Sequence, residues 1–430
     1  MASYRVAGDQ YGLAIPVDPA ALRRAGPQFL TEAFRASGAM RDNSVTSITE
    51  FHEVTGGSTG RKVALSVEYD KPAVDLHTEL FVKFSRDLDD PVRDRGKTQM
   101  ESEVRFASLS RAPEFPIAVP TALFGDYQRE SGTGILITER IRFGHNGIER
   151  QYHKCLDYEM PEPLAHYRAL LTALARLAGT HRSGRLPARQ TAHFPLDVQA
   201  ATVGERAPLS ADKLERRVNQ LAELAEARPG LLPANVGSPD FLARLREDVP
   251  RFAQHEHILA RQLADDADYV ALCHWNANID NAWFWRDADG NLGCGLMDWG
   301  CVSQMNLGMA VWGAMSGAET DLWTEHLDEL LNLFVAEFRR YGGPAVDPGR
   351  LRQHTLLYAA AMGVAWLLDV PALIRKRFET APDSRLDPRI RGDESVRAPL
   401  QMLSNLLSVW ERYGVGELLD TALDEEGRVA

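Results

Sequence analysis

Cysteine is scarce in this chain of 430 residues: four occur, Cys155, Cys273, Cys294 and Cys301, at no regular spacing. With no secretory leader evident at the start, that usage predicts free thiols in a reducing cytoplasm. It also matches no zinc-ligand pattern with His274. Positive charge is in deficit, 48 Lys and Arg against 60 Asp and Glu, a formal net charge of -12. Such a balance disfavours nucleic acid and anionic membranes as partners. Long apolar runs are missing too. The longest, Leu356 to Leu368, falls short of the roughly 20 residues a membrane span needs and sits inside a helical pattern, which predicts a buried core helix. No internal repeat or low-complexity tract appears. What is present, 44% hydrophobic and 25% charged residues, predicts a globular protein with two sizeable cores.

The apolar period changes along the chain. "PQFLTEAFRAS" (27–37) reads as a short helix. From Val45 to Phe84 the pattern becomes strand-like in "SVTSITEFHEV", "KVALSVEY" and "ELFVKF", three antiparallel strands. "TGGSTG" (55–60) turns between the first two, "TQMESEVRFASL" is a helix, and "VPTALFGDY" with "GILITERI" adds two strands. From about residue 160 the period is helical. "PLAHYRALLTALARLAGTH" carries its Pro163 as an early-turn proline, and further helices are predicted near 213–227, 239–264, 321–341, 350–370 and 396–413. The interval 185–237 reads as an irregular cap that shapes a substrate pocket. The class is therefore α+β, divided into a sheet-dominated half, 1–141, and a helical half, 142–430.

Between the helix ending near Ala264 and "GLMDWG" lies "CHWNANIDNAWFW" (273–285), expected to cap a small hairpin with the strand "LGCGLMD". His274, Asn276, Asn281 and Asp298 then converge. The spacing H-x-N-x-x-x-x-N followed by D-W-G is the layout of a phosphoryl-transfer site, except at one position. The loop normally offers Asp to the substrate hydroxyl and Asn to a metal, and the later Asp holds metal as well.

These motifs resemble those of the aminoglycoside phosphotransferase and choline kinase superfamily of protein-kinase-like folds, in particular its ecdysteroid-kinase-like branch. The likeness extends from "FLTEAFRASGAM" to the C-terminal helices. In such families the loop reads H-G-D-x-x-x-x-N and the metal motif D-W or D-F. His274, Asn281 and Asp298 match, and Asn276 stands where the catalytic Asp belongs. The resemblance implies a two-lobed fold, ATP and Mg2+ as cofactors, and a small hydroxylated molecule as acceptor. Lys83 would meet the phosphates and Glu103 would hold it, since Glu103 shares a helical face with Met100, Phe106 and Ala107 while Glu101 aligns with Arg105. Gly56, Gly57 and Gly60 would admit backbone amides to phosphate oxygens, with Ser58 and Thr59 as extra donors. "ITERI" would be the hinge, offering backbone near Glu139 to an adenine edge. Asn281 and Asp298 would bind metal, and His274 would brace the loop.

Each motif also has a plain structural reading. "GGSTG" alone is an ordinary hairpin turn, a strand lysine usually snorkels, and Trp275, Trp283, Trp285 and Trp299 read as core. An amide at 276 orients a hydroxyl but takes no proton at neutral pH. Asp280 is the nearest carboxylate in sequence that could replace the base. Two alternatives stay open: a kinase whose positioning and charge neutralisation suffice, or a pseudokinase that binds nucleotide or metabolite without turnover.

Overall fold

The computed structural model describes residues 5–54, 60–87, 90, 97–198 and 209–429, and divides into two compact units. The first comprises Met1–Ile148, Gly184–Phe194 and Gly295–Val302; the second comprises Glu149–Ser183, Pro195–Cys294 and Ser303–Ala430. The segment bearing Asp298, expected with the helical half, thus belongs to the first unit.

The first unit opens with a two-stranded ribbon, β1 (Arg5–Ala7) and β2 (Ala14–Pro16), followed by helix α1 (Pro19–Ala36). Asp18 caps α1 by accepting the Ala21 amide at 2.6 Å. Gly26 at φ 63 kinks it just before Pro27, so the helix expected from residue 27 is the second limb of a longer element. Strands β3 (Val45–Val54), β4 (Lys62–Tyr69), β5 (Glu79–Phe84), β6 (Ala122–Gln128) and β7 (Thr133–Glu139) form one five-stranded sheet in the order β3-β4-β5-β7-β6. Every neighbouring pair is antiparallel.

Alternation sorts this sheet's faces. Val63, Leu65, Val67, Leu80, Val82, Phe84, Ile135 and Ile137 join Phe29, Leu30 and Phe34 of α1 in one core. On the other face Leu136 and Tyr127 pack with Met100 and Val104 of helix α2 (Lys97–Leu109). The later segments complete this side. Phe106 of α2 stacks on Trp299 at 3.8 Å between centroids and meets Phe194 edge-on at 6.4 Å, while Leu296 donates its amide to Ala118 O. The short helix α4 (Ala188–Thr191) belongs here too, Gln190 donating to Ser108 Oγ at 3.3 Å.

The second unit is helical. Its members are α3 (Pro163–Arg182), α5 (Ala211–Ala227), α6 (Pro239–Asp265), α7 (Leu307–Met315), α8 (Thr320–Thr324), α9 (Leu327–Arg340), α10 (Pro348–Trp366), α11 (Val370–Arg377), α12 (Pro388–Arg391), α13 (Glu394–Arg412) and α14 (Val415–Val429). Two two-stranded sheets accompany them: β8 (Val270–His274) with β11 (Val302–Asn306), and β9 (Ala282–Arg286) with β10 (Leu292–Leu296). β9 and β10 pair as expected across the turn at 287–291, and the motif loop joins that pair to β8. Pro348–Arg377 is a helical run of 30 residues, long and apolar enough by composition to cross a membrane, so counting only Leu356–Leu368 understated it. Its most apolar window is 72% buried, with Leu356, Leu357, Ala359 and Ala360 among the core residues.

The expected α+β class is the one observed: an antiparallel N-terminal sheet with helices, then a helical remainder.

Candidate active site

In the first unit Lys83 extends from β5 on the face opposite the α1 core. Its ammonium lies 2.5 Å from Glu103 Oε1 and 2.8 Å from Asp298 Oδ1. Helix α2 supplies Glu103, which is only 4% exposed. Asp298 is delivered by a left-handed backbone, φ 66 and ψ 62, held beside it by Trp299, whose Nε1 donates to Leu296 O at 3.0 Å. Glu101 faces away from this cluster and pairs with Arg129 at 2.5 Å and Arg105 at 3.6 Å.

Burial alone would favour a neutral amine at Lys83, but the two carboxylates outweigh it and hold the ammonium well above its ordinary value. Burial pushes the Glu103 carboxyl up against the pull of Lys83, and Asp298 adds like-charge repulsion. A fourth charged group belongs to the cluster. Lys62, which the sequence reading passed over, faces Lys83 directly in the β4–β5 register. Burial lowers its pKa and so does Lys83, while Asp298 and Glu103 act in the opposite sense.

Gly60 sits just before β4 at φ +133, and a Cβ there would meet Phe84 O at 2.0 Å. Only glycine allows that approach. Gly56, Gly57, Ser58 and Thr59 lie outside the described residues. At the hinge segment, Glu139 donates its amide to Thr121 O and Arg140 donates to Glu79 O. The Glu139 carboxylate accepts from Thr121 N and Oγ1 at 2.8 and 2.9 Å. The amide of Glu139 is thus committed to Thr121 O.

In the second unit the loop is built by its own amides. His274 is fully buried and its Nδ1 accepts the Asn276 amide at 3.2 Å. Asn276 Oδ1 accepts from Asn278 Nδ2 at 2.8 Å, and Asn276 O accepts from Asn281 Nδ2 at 2.8 Å. Because its nitrogen is tied to the backbone, Asn281 presents its oxygen. Asn278, 4% exposed, has no hydrogen-bond partner at Oδ1 among the described residues. Asp280 Oδ2 lies 3.8 Å from Lys154 Nζ.

The helix behind the loop fixes its position. Gly313 of α7 lies so close to Trp275 O that a Cβ would stand 1.7 Å from it, and Trp275 Nε1 donates to Tyr358 Oη at 2.8 Å. The segment "MNLGMAVWG" (305–313) uses Asn306 as the cap of α7: its Oδ1 accepts Gly308 N at 2.8 Å. His181 at the end of α3 accepts Leu272 N at 3.2 Å, and burial lowers its pKa to about 4. Behind the loop Asp157 is fully buried, with Tyr167 donating to Oδ2 at 2.7 Å. Burial raises its pKa to about 7 against the Tyr167 bond, with Glu319 adding to the rise.

All four cysteines are free, and burial raises the thiols of Cys155, Cys273 and Cys294. Among the described residues no group of three His, Cys, Asp or Glu side chains could hold a metal. The donors available at the motif positions are an amide oxygen at Asn281 and a carboxylate at Asp298, which suit a hard cation such as Mg2+ better than zinc.

No family model and no curated protein matches the chain. Several solved structures do. A choline kinase from Cryptosporidium parvum is 12% identical, with 88% of this chain and 90% of that one covered at a TM-score of 0.39. The GDP complex of aminoglycoside 2'-phosphotransferase-IIIa is 14% identical, with 89% and 98% covered at 0.41. A microcompartment-associated aminopropanol kinase is 13% identical, with 91% and 99% covered at 0.40. At these identities and scores the similarities carry no argument about this chain's chemistry, which rests on its own residues.

Proposed function

We propose that this chain is a cytoplasmic, ATP- and Mg2+-dependent phosphotransferase of the aminoglycoside phosphotransferase and choline kinase type, acting on the hydroxyl of a small molecule. One observation carries the reading: the Lys83 ammonium is shared by Glu103 at 2.5 Å and Asp298 at 2.8 Å. A lysine pinned by a helix glutamate and an aspartate of a D-W-G motif is the apparatus that orients a charged group toward phosphates. A structural ion pair needs only one of those acids.

In this reading Lys83 would bind nucleotide phosphates, Asp298 and Asn281 would each offer an oxygen to Mg2+, and Asn276 would orient the acceptor hydroxyl by hydrogen bonding. The metal would supply charge neutralisation on the phosphates. His274 braces the loop by accepting the Asn276 amide. The hydroxyl proton has no acceptor at residue 276, so the transfer relies on positioning and on a loose transition state in which the proton leaves late, to an oxygen of the transferred phosphoryl group or to solvent.

The second reading, a pseudokinase, is favoured by a specific feature. The only basic atom of the Asn276 side chain, Oδ1, already accepts from Asn278. The two are separated by measuring Mg-ATP binding and phosphate transfer over a panel of alcohols and amines for the wild type, Asn276→Asp and Asp298→Ala. Turnover by the wild type that Asp298→Ala abolishes establishes the enzyme. Binding by the wild type with turnover only in Asn276→Asp establishes the pseudokinase, and no nucleotide binding by any variant refutes both.

A further inference from the structure

From the register of the sheet we infer that Lys62 is a second phosphate-binding cation, facing Lys83, that makes the first unit selective for the polyphosphate of its nucleotide. This rests on the nucleotide reading above and adds to it a residue outside the motif.

Three features converge on Lys62. In the antiparallel pairing of β4 with β5 it is the direct partner of Lys83, and directly opposed residues extend from the same face with Cβ atoms about 4.5–5.5 Å apart. Like charges so placed repel, and Glu103 and Asp298 already offset part of that repulsion. Lys62 also lies two residues after Gly60, whose missing Cβ lets the backbone approach Phe84 O. Lastly, both lysines share one field, since Glu103 and Asp298 act on Lys62 as well as on Lys83.

Charge accounting gives the pair its purpose. Two ammoniums and two carboxylates sum to zero. Once a divalent cation sits on Asp298, the cluster carries two net positive charges, half of which disappears if Lys62 is neutral. A polyphosphate bearing several negative charges needs that second positive centre, whereas an uncharged nucleoside does not. Charge-assisted bonds to phosphate are the strong kind.

The test titrates the full chain with Mg-ATP, ADP and adenosine, comparing wild type, Lys62→Met, Lys62→Arg and Lys62→Gln at low and moderate salt. The expected result is that Lys62→Met and Lys62→Gln lose about tenfold in ATP affinity, less in ADP affinity, and nothing for adenosine. Their ATP binding should also become less salt-dependent, and Lys62→Arg should retain most of the wild-type preference. The ratio of ATP to adenosine affinity is insensitive to any loss of folded protein. If that ratio is unchanged, or both affinities fall together, Lys62 only balances charge and the inference is overturned. If the wild type binds no nucleotide, the nucleotide reading has failed and takes this one with it.

Discussion

Replacing Glu103 by Gln asks whether the Lys83 cluster is held together by charge. The two charged atoms are 2.5 Å apart, and Coulomb's law at an effective dielectric of about 20 gives roughly 6–7 kcal/mol of attraction. Most of that is offset by taking both groups out of water, yet breaking such a pair from one side typically costs about 3–5 kcal/mol. Asp298 remains 2.8 Å from the ammonium, so Lys83 is not orphaned and Glu103→Gln should fall at or below the lower end, about 2–3 kcal/mol. Lys83→Met is the harsher change. It leaves the Glu103 carboxylate, 4% exposed, beside Asp298 without the ammonium between them, and should cost about 3–5 kcal/mol near neutral pH. The double variant should then be more stable than the sum of the singles by about 2 kcal/mol, because each single loss includes the same interaction. Urea denaturation followed by hydrogen exchange of the α2 amides reads the first unit specifically. Additive costs, or a Glu103→Gln penalty below about 1 kcal/mol, would refute the view that these charges are mutually dependent.

Asn276→Asp should preserve the loop, since the new carboxylate can still accept from Asn278 while Asn281 bonds only the backbone oxygen at 276. With a base restored, initial rates of phosphate transfer should rise about 10²–10⁴-fold if proton removal limits turnover, and an unchanged rate would show that it does not. Asp157, raised to about 7 chiefly by burial, is penalised when charged. That penalty is absent below the unfolded pKa near 4 and complete above about 7, so Asp157→Asn should gain about 2–4 kcal/mol at pH 8 and little at pH 4, measured by urea titration. His354 is lowered to about 3 by burial, with Arg350 adding to it. Its contribution is fully present above pH 6.5 and lost as pH falls toward 3, so His354→Gln should flatten the wild-type loss in that window by an amount on the order of 4 kcal/mol.

Local pattern made the sheet readable. β5 alternates strictly, carrying Leu80, Val82 and Phe84 inward with Lys83 on the opposite face, as "ELFVKF" implies. The separation of Glu103 from Lys83 could be counted, and the helical face chose Glu103 over Glu101. Pairing between distant strands could not be read. β9 and β10 are joined by a short turn and were readable, but β8 passes over both to join β11, a choice made by long-range packing that no local period encodes. Lys62 was hidden because its significance lies in register: nothing in "GRKVAL" says which residue will stand across from it. Asn278 lay inside the quoted motif, but its role as the partner of Asn276 depends on how the loop closes. Helix α1 was shortened at Pro27 because proline reads as a start, whereas Gly26 at φ 63 lets two limbs join there.

The interleaving of the two units has a consequence for synthesis. Residues up to Ile148 leave the first unit without Phe194, Trp299 and Asp298, so Phe106 keeps Phe115 but loses the rings of Phe194 and Trp299, and Lys83 lacks Asp298. At roughly 5–20 residues per second, the stretch from Ile148 to Val302 takes on the order of ten to thirty seconds to emerge. For that time the nascent sheet exposes the α2 side of its core, and a fragment ending at Ile148 would be frozen in that state. An expression boundary drawn after the last sheet strand would therefore yield a chain prone to aggregate, and the shortest fragment with a complete first unit must run through Val302.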